Sequence, residues 1–439
     1  MTTPIDDATL SRRTLLRLGG GAVVVVGLGA CDRSASVGGT PADSSPPGDG
    51  TGAATTLPSA GPAPATTVPA TVPAFGGKRL VLVQLNGGND LLNSLPPTDG
   101  RYRDLRPTLA IPEAEVVGLT GLADAGLHPS LAPLGALWDV GGLALVRGIG
   151  FEVPNRSHFV SMDRWWTADE LSAAGWVGRV LDGVPGRPSP LFATALGAGA
   201  PVLVGRTAQP TVITSPGSFR WVDLQPEWIA GLAVTEGAGT SPDGDLRAAA
   251  REAFQRTLRA VADFADITGG SETADDLPER EGGATIADGL AVAAQLLTSD
   301  VGAQVVVVSA GGFDTHANQL PVHAGLLADL AAGLVTFQAA IDAAGLTDEV
   351  LLVATSEFGR RAGENGSGGC DHGAGGLALA LGGQVRGGIY GDIDLGDLLD
   401  GDVRPTVAPQ ALFTRCLDWL GADAAQVLGA RDDALDLLR

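Results

Sequence analysis

The chain has 439 residues, 64 of them glycine, and a formal net charge of −22. That length suffices for one large α/β domain or two smaller ones. So acidic a balance excludes nucleic acid as a partner, because phosphate recognition needs a basic face.

The N-terminal segment reads as a targeting signal. In "SRRTLLRLGGGAVVVVGLGAC" the pair Arg12-Arg13 precedes an apolar run from Gly21 to Ala30 that is too short to span a bilayer comfortably. The Ser-Arg-Arg-x-Leu-Leu order resembles a twin-arginine signal, and Leu28-Gly29-Ala30-Cys31 resembles a bacterial lipobox. Residues 1–30 are therefore expected to be a signal peptide, with Cys31 as the lipidation site and the protein anchored at the outer face of the cell membrane. Residues 31–76, rich in Ser, Thr, Pro, Ala and Gly and without apolar periodicity, are expected to be a disordered linker. Residues 77–439 then read as one domain, since no second linker follows.

Within that domain, apolar strands are expected at 80–85, 142–150, 305–312, 349–359 and 377–383. Helices are expected at 246–265, 286–297 and 323–345. Strands of this length alternating with amphipathic helices indicate an α/β fold, a mainly parallel central sheet with helices on both faces. Ligands of such sheets sit beyond the carboxyl ends of the strands. Polar groups cluster just there: Asn86, Asn89 and Asp90; Arg156, Ser157 and His158; Asp314 and His316; Glu357 and Arg360.

The chain has only five histidines, and two of them stand beside aspartates, in "GGFDTHANQ" and "GGCDHGAGG". Carboxylates and imidazoles gathered at strand ends are the donors of a divalent-metal site. Asp314 and His316 reach one centre only if their loop curls, because alternate residues of an extended strand face opposite ways. Gly311-Gly312 permits that curl, although Asp314 could instead cap the helix that follows. Asp371-His372 lies in a long Gly-rich loop. Glu357 ends an apolar strand, where a carboxylate must be paired, solvated or metal-bound, and Arg360 or Arg361 is its nearest alternative partner. Ser157 is either a helix N-cap or a nucleophile beside His158. His128 reads as a loop or cap residue, and His323 faces no visible cluster. Cys370 and Cys416 are open to pairing in an oxidising compartment.

Six segments in order, "LVLVQLNGGNDLLNSL", "GLHPSLAPL", "NRSHFVSMDRWWTA", "GGFDTHANQ", "SEFGRRAGENGSGGCDHG" and "VRGGIYG", resemble the bacterial domain-of-unknown-function 1501 family. That family is thought to be similar to the alkaline phosphatase superfamily. The resemblance implies an alkaline-phosphatase-like α/β fold that binds zinc, manganese, calcium or magnesium and hydrolyses a small-molecule or polymeric phosphate or sulfate ester. Carried onto this sequence, it makes Asp314, His316, Glu357, Asp371 and His372 the metal ligands, with Asn86, Asp90 and His158 as possible additions. Ser157 becomes the nucleophile, and Arg156 or Arg360 steadies the anion. Asn86 stands where the superfamily has a ligand aspartate and Phe358 where it has a histidine. The rival expectation is thus a non-catalytic cell-surface binding or assembly protein.

Overall fold

The computed structural model describes residues 74–168, 172–184, 189–214, 242–268 and 285–439. The expected signal peptide, Cys31 and almost all of the linker lie outside the described residues. One eight-stranded sheet organises the rest. Its strands are β1 (Arg79–Leu85), β2 (Leu143–Ile149), β3 (Ala193–Leu196), β4 (Thr211–Ile213), β5 (Val305–Ala310), β6 (Val350–Thr355), β7 (Gly376–Leu381) and β8 (Gly388–Tyr390). They lie in the order β8-β2-β7-β6-β1-β5-β3-β4. Only β7 runs against its neighbours; every other adjacent pair is parallel. The expected α/β architecture with a mainly parallel sheet is what the chain forms.

The valine run of β5 shows why a parallel strand carries no polar alternation. Val306 and Val308 enter one core and Val305 and Val307 the other, so both faces must be apolar. Helices Pro242–Ile267, Ile286–Thr298 and Gln319–Ala343 pack against the first core. The second is closed by α1 (His158–Thr167), α2 (Trp176–Asp182) and α3 (Pro409–Trp419). The helix expected at 323–345 starts earlier, at Gln319, because Pro321 falls in its first turn, where no amide hydrogen is required. The strand expected at 349–359 ends at Thr355; Gly359–Arg360 pairs separately and antiparallel with His372–Gly373. Strands β3, β4 and β8 were not expected; three or four residues are too few for a periodic signal.

Strands β6, β1 and β5 are adjacent at the centre, so the loops that follow them meet at one edge. Strand β7, being antiparallel, brings its preceding residues to that edge. The approach is close: a Cβ on Gly87, whose φ is +119°, would lie 2.3 Å from the Asp314 amide nitrogen. Gly87→Ala is therefore expected to lower the denaturant midpoint without changing the slope, at a cost of about 1–3 kcal/mol. A midpoint equal to wild type would show that this contact relaxes freely.

Candidate metal centre

Three imidazoles surround the Asp314 carboxylate, and each has its Nδ1 fixed by an acceptor. His372 Nδ1 lies 2.7 Å from the Arg156 carbonyl oxygen. His316 Nδ1 lies 3.1 Å from Asp371 Oδ1, and His158 Nδ1 lies 2.7 Å from Glu357 Oε1. Carbonyls and carboxylates only accept, so in the neutral rings the hydrogen sits on Nδ1 and Nε2 keeps a lone pair. All three Nε2 atoms turn to Asp314. The separation is 2.9 Å from His372 and 3.0 Å from His316, both to Oδ1, and 3.4 Å from His158 to Oδ2. The His316 and His372 Nε2 atoms are themselves 2.9 Å apart. Two ring lone pairs and a carboxylate oxygen thus converge with no hydrogen of their own between them. Asp314, His158 and His372 each offer a ligand atom within 4.8 Å of the others, and nitrogen and oxygen donors so spaced suit a divalent metal.

Arg360 fixes the carboxylate. Its guanidinium is wholly buried and donates to Asp314 Oδ1 at 2.8 Å. It also donates to the Gly88, Cys370 and Phe313 carbonyls at 2.8, 2.9 and 2.7 Å, and to the Gly87 carbonyl. Partial burial opposes ionisation of Asp314. The hydrogen bond and the charge of the Arg360 guanidinium outweigh it and hold the carboxyl well below its ordinary value. The Asn365 amide and then the His316 ring hold Asp371 below the usual carboxylate range.

This placement corrects several expectations. Asp371 and Glu357 stand behind His316 and His158 and orient them, with Glu357 Oε1 also accepting from the Gly87 amide at 2.9 Å. The second oxygen of Glu357 is buried without a hydrogen-bond partner. His158, expected only as an addition, is central. Arg360 cannot steady an incoming anion, because its donors are committed inside the protein. Arg156 is paired with Asp402 at 2.6 Å and with Asp400 at 3.4 Å. Asp314 caps no helix; the following helix has Asn318 at its N-cap. Asn86 turns its amide to Ser309 Oγ, at 2.8 Å. Ser157 is exposed at the N-cap of α1, and its hydroxyl makes no capping bond. Two residues that sequence reasoning missed complete the frame. Asn365 donates to Asp371 at 3.1 Å and to the His316 carbonyl at 2.9 Å, and Asp402 is fully buried behind Arg156.

Asp90 belongs elsewhere. It is buried against Arg106, 2.6 Å away, and accepts from Gln319 at 2.5 Å, in a polar network that ties the loops together from below. His323 joins that network through Asn89 Oδ1, at 2.9 Å, and its ring edge faces His128. Cys370 and Cys416 are both buried and free, and burial pushes each thiol up to about 12.

A family model described as "Protein of unknown function (DUF1501)" matches residues 152–435, well over half of the chain and all three imidazoles. The chain belongs to this family. The DUF1501 match begins after β1, so Asn86 and Asp90 lie outside it. A comparison with curated proteins finds no match. Among solved structures, the chain is similar to a protein in the alkaline phosphatase superfamily from Vibrio parahaemolyticus, at 11% identity and a TM-score of 0.39 over 84% of this chain and 72% of that one. It is similar to the lipoteichoic acid synthase of Listeria monocytogenes at 10% and 0.37, over 82% and 76%. For the phosphonate monoester hydrolase of Silicibacter pomeroyi the values are 12% and 0.35, over 81% and 75%.

Burial pushes the His323 imidazole down to about 4, so the ring is neutral when folded. Between its ordinary value near 6.5 and about 4, the unfolded chain binds a proton that the folded chain does not. Stability from this group is therefore present above pH 6.5 and lost as pH falls through that window, by on the order of 3 kcal/mol. Denaturant melts at pH 7 and pH 5 should show a smaller acid loss in His323→Gln than in wild type. Equal losses would place the titrating group elsewhere.

Proposed function

We propose that the chain is an exported, lipid-anchored, metal-dependent hydrolase of phosphate or sulfate esters. One observation carries this reading: three Nε2 lone pairs are turned on one ionised carboxylate by acceptors that leave them no other tautomer. His158, His316, His372 and Asp314 would hold the ion, and Asp371, Glu357 and the Arg156 carbonyl keep the rings in place. Three imidazoles favour zinc over magnesium or calcium, which prefer all-oxygen sites. When bound, a divalent ion supplies Lewis acidity to a phosphoryl or sulfuryl oxygen and eases deprotonation of a bound hydroxyl or water.

The chain's own contribution is to position and to exclude. Arg360 keeps Asp314 charged and immobile. Ser157 directly precedes His158 and has an uncommitted, exposed hydroxyl, which suits a nucleophile that attacks phosphorus or sulfur. With Arg360 and Arg156 both engaged, neutralising the anion falls to the metal. A second reading, a metal-binding surface protein without turnover, draws on Asn86 and on Phe358. The Phe358 ring packs 4.9 Å from that of His158 and 4.6 Å from that of His372.

Native mass spectrometry of the zinc-loaded protein should show a bound ion that His316→Ala and His372→Ala each remove, the double variant being no worse than either. Equal metal content in all of them, or none in wild type, would end the shared-site reading. With aryl phosphate and aryl sulfate as substrates, Ser157→Ala should retain metal and lose turnover by about 100-fold or more. Metal without turnover in wild type would favour the binding protein. Cys31→Ala should move the protein from the membrane to the soluble fraction. Unchanged membrane retention would contradict the anchor.

A further inference from the structure

We propose that the rim around the imidazole cluster is a membrane-docking face, seated on the same bilayer that holds the chain's lipid anchor. This rests on the lipid-anchor reading given above. The distribution of exposed hydrocarbon and the length of the tether both point to it.

Among the described residues, six large apolar side chains are exposed: Val140, Val153, Phe159, Val160, Leu320 and Val322. Five of them stand at the carboxyl edge of the sheet. Val153 precedes His158, and Phe159 and Val160 follow it in the first turn of α1. Leu320 and Val322 lie in the first turn of the helix after His316. The His158 and His316 rings approach Asp314 to 3.4 and 3.0 Å, so the two helix starts meet at one carboxylate. Phe159 is 89% exposed. Hydrocarbon scattered singly over a surface needs no explanation, but hydrocarbon gathered at one edge marks a face that an apolar body covers. The sixth residue, Val140, precedes β2, which runs in the same direction as β1, and so lies at the opposite, amino edge.

The tether names the occupant. The chain enters the domain just before β1, also at the amino edge, so the rim is the edge remote from the point of attachment. Residues 32–74 separate Cys31 from Phe75. A chain of that length can reach about 150 Å, roughly three times the diameter of a domain of this size. The far edge is therefore within reach of the bilayer, and the tether holds the two at a high effective concentration that no soluble partner shares. A formal charge of −22 gains nothing from anionic lipid, so the seat has to be apolar. Valine, leucine and phenylalanine around a polar centre suit the boundary between headgroups and acyl chains. Seated there, the Asp314 centre opens on the headgroup layer.

The test places the full lipidated chain in phosphatidylcholine vesicles that contain brominated lipid, a contact quencher of fluorescence. Cys370 and Cys416 are buried, and acylation occupies Cys31, so a thiol-reactive fluorophore goes to an introduced cysteine alone. A label on Leu320→Cys should lose about half of its emission or more, as a face seated at the acyl boundary requires. A label on Val140→Cys should lose little. Adding Val153→Ser and Phe159→Ser should restore emission at position 320. Equal quenching at positions 140 and 320, or quenching at 320 that survives the added substitutions, would overturn the docking face and leave the anchor standing. Energy transfer between copies labelled at position 320, without quenching by lipid, would give the face to a second copy and overturn it likewise. A chain that carries no lipid and stays off the vesicles would defeat the anchor and this inference together.

Discussion

The site depends on one buried guanidinium. Arg360 gathers oxygens from the loop after β1, the loop after β5 and the loop before β7, and itself follows β6. A buried charge of this kind is tolerable only if its hydrogens all find acceptors and an opposite charge stands by. Carbonyls of four residues provide the first and Asp314 the second. The same ion pair that makes Arg360 tolerable keeps Asp314 ionised, and the histidines are arranged around that charge. The strand-end loops and the arrangement of the three histidines therefore share one electrostatic constraint.

Topology explains how residues so far apart in sequence meet. Parallel strands at the sheet centre deliver Asp314 and Glu357 from their carboxyl ends, while the reversed β7 delivers His372 from its amino end. The sharp turns this requires fall on glycines. Gly312, at φ +104°, begins the curl that brings Asp314 and His316 to the same side. Behind the rings, the chain from Asp402 through the Arg156 side chain to the Arg156 carbonyl ends on His372 Nδ1, which links a loop near the C-terminus to the orientation of that ring.

Much of this was legible in the sequence. The valine runs gave the parallel sheet, and two Asp–His neighbours in glycine-rich surroundings, in a chain with so few histidines, marked the centre. Rank within the site was not legible. A carboxylate that binds a metal and one that orients a histidine have the same local sequence, so Asp371 and Glu357 read as ligands. Arg360 read as an anion clamp because nothing local shows that its partners are carbonyls of distant loops. Asp90 read as a candidate ligand because one of its partners, Gln319, lies 229 residues away. His323 had no visible cluster for the same reason: its partner Asn89 lies 234 residues away in sequence.

The claim that everything else serves is that imidazole nitrogens and Asp314 share one cation. X-ray absorption at the zinc edge of the metal-loaded protein tests it most directly. The account predicts a first shell of nitrogen and oxygen only, with outer-shell scattering from two or three imidazole rings. A shell of oxygen alone, a sulfur ligand, or a spectrum indistinguishable from hydrated zinc would contradict it.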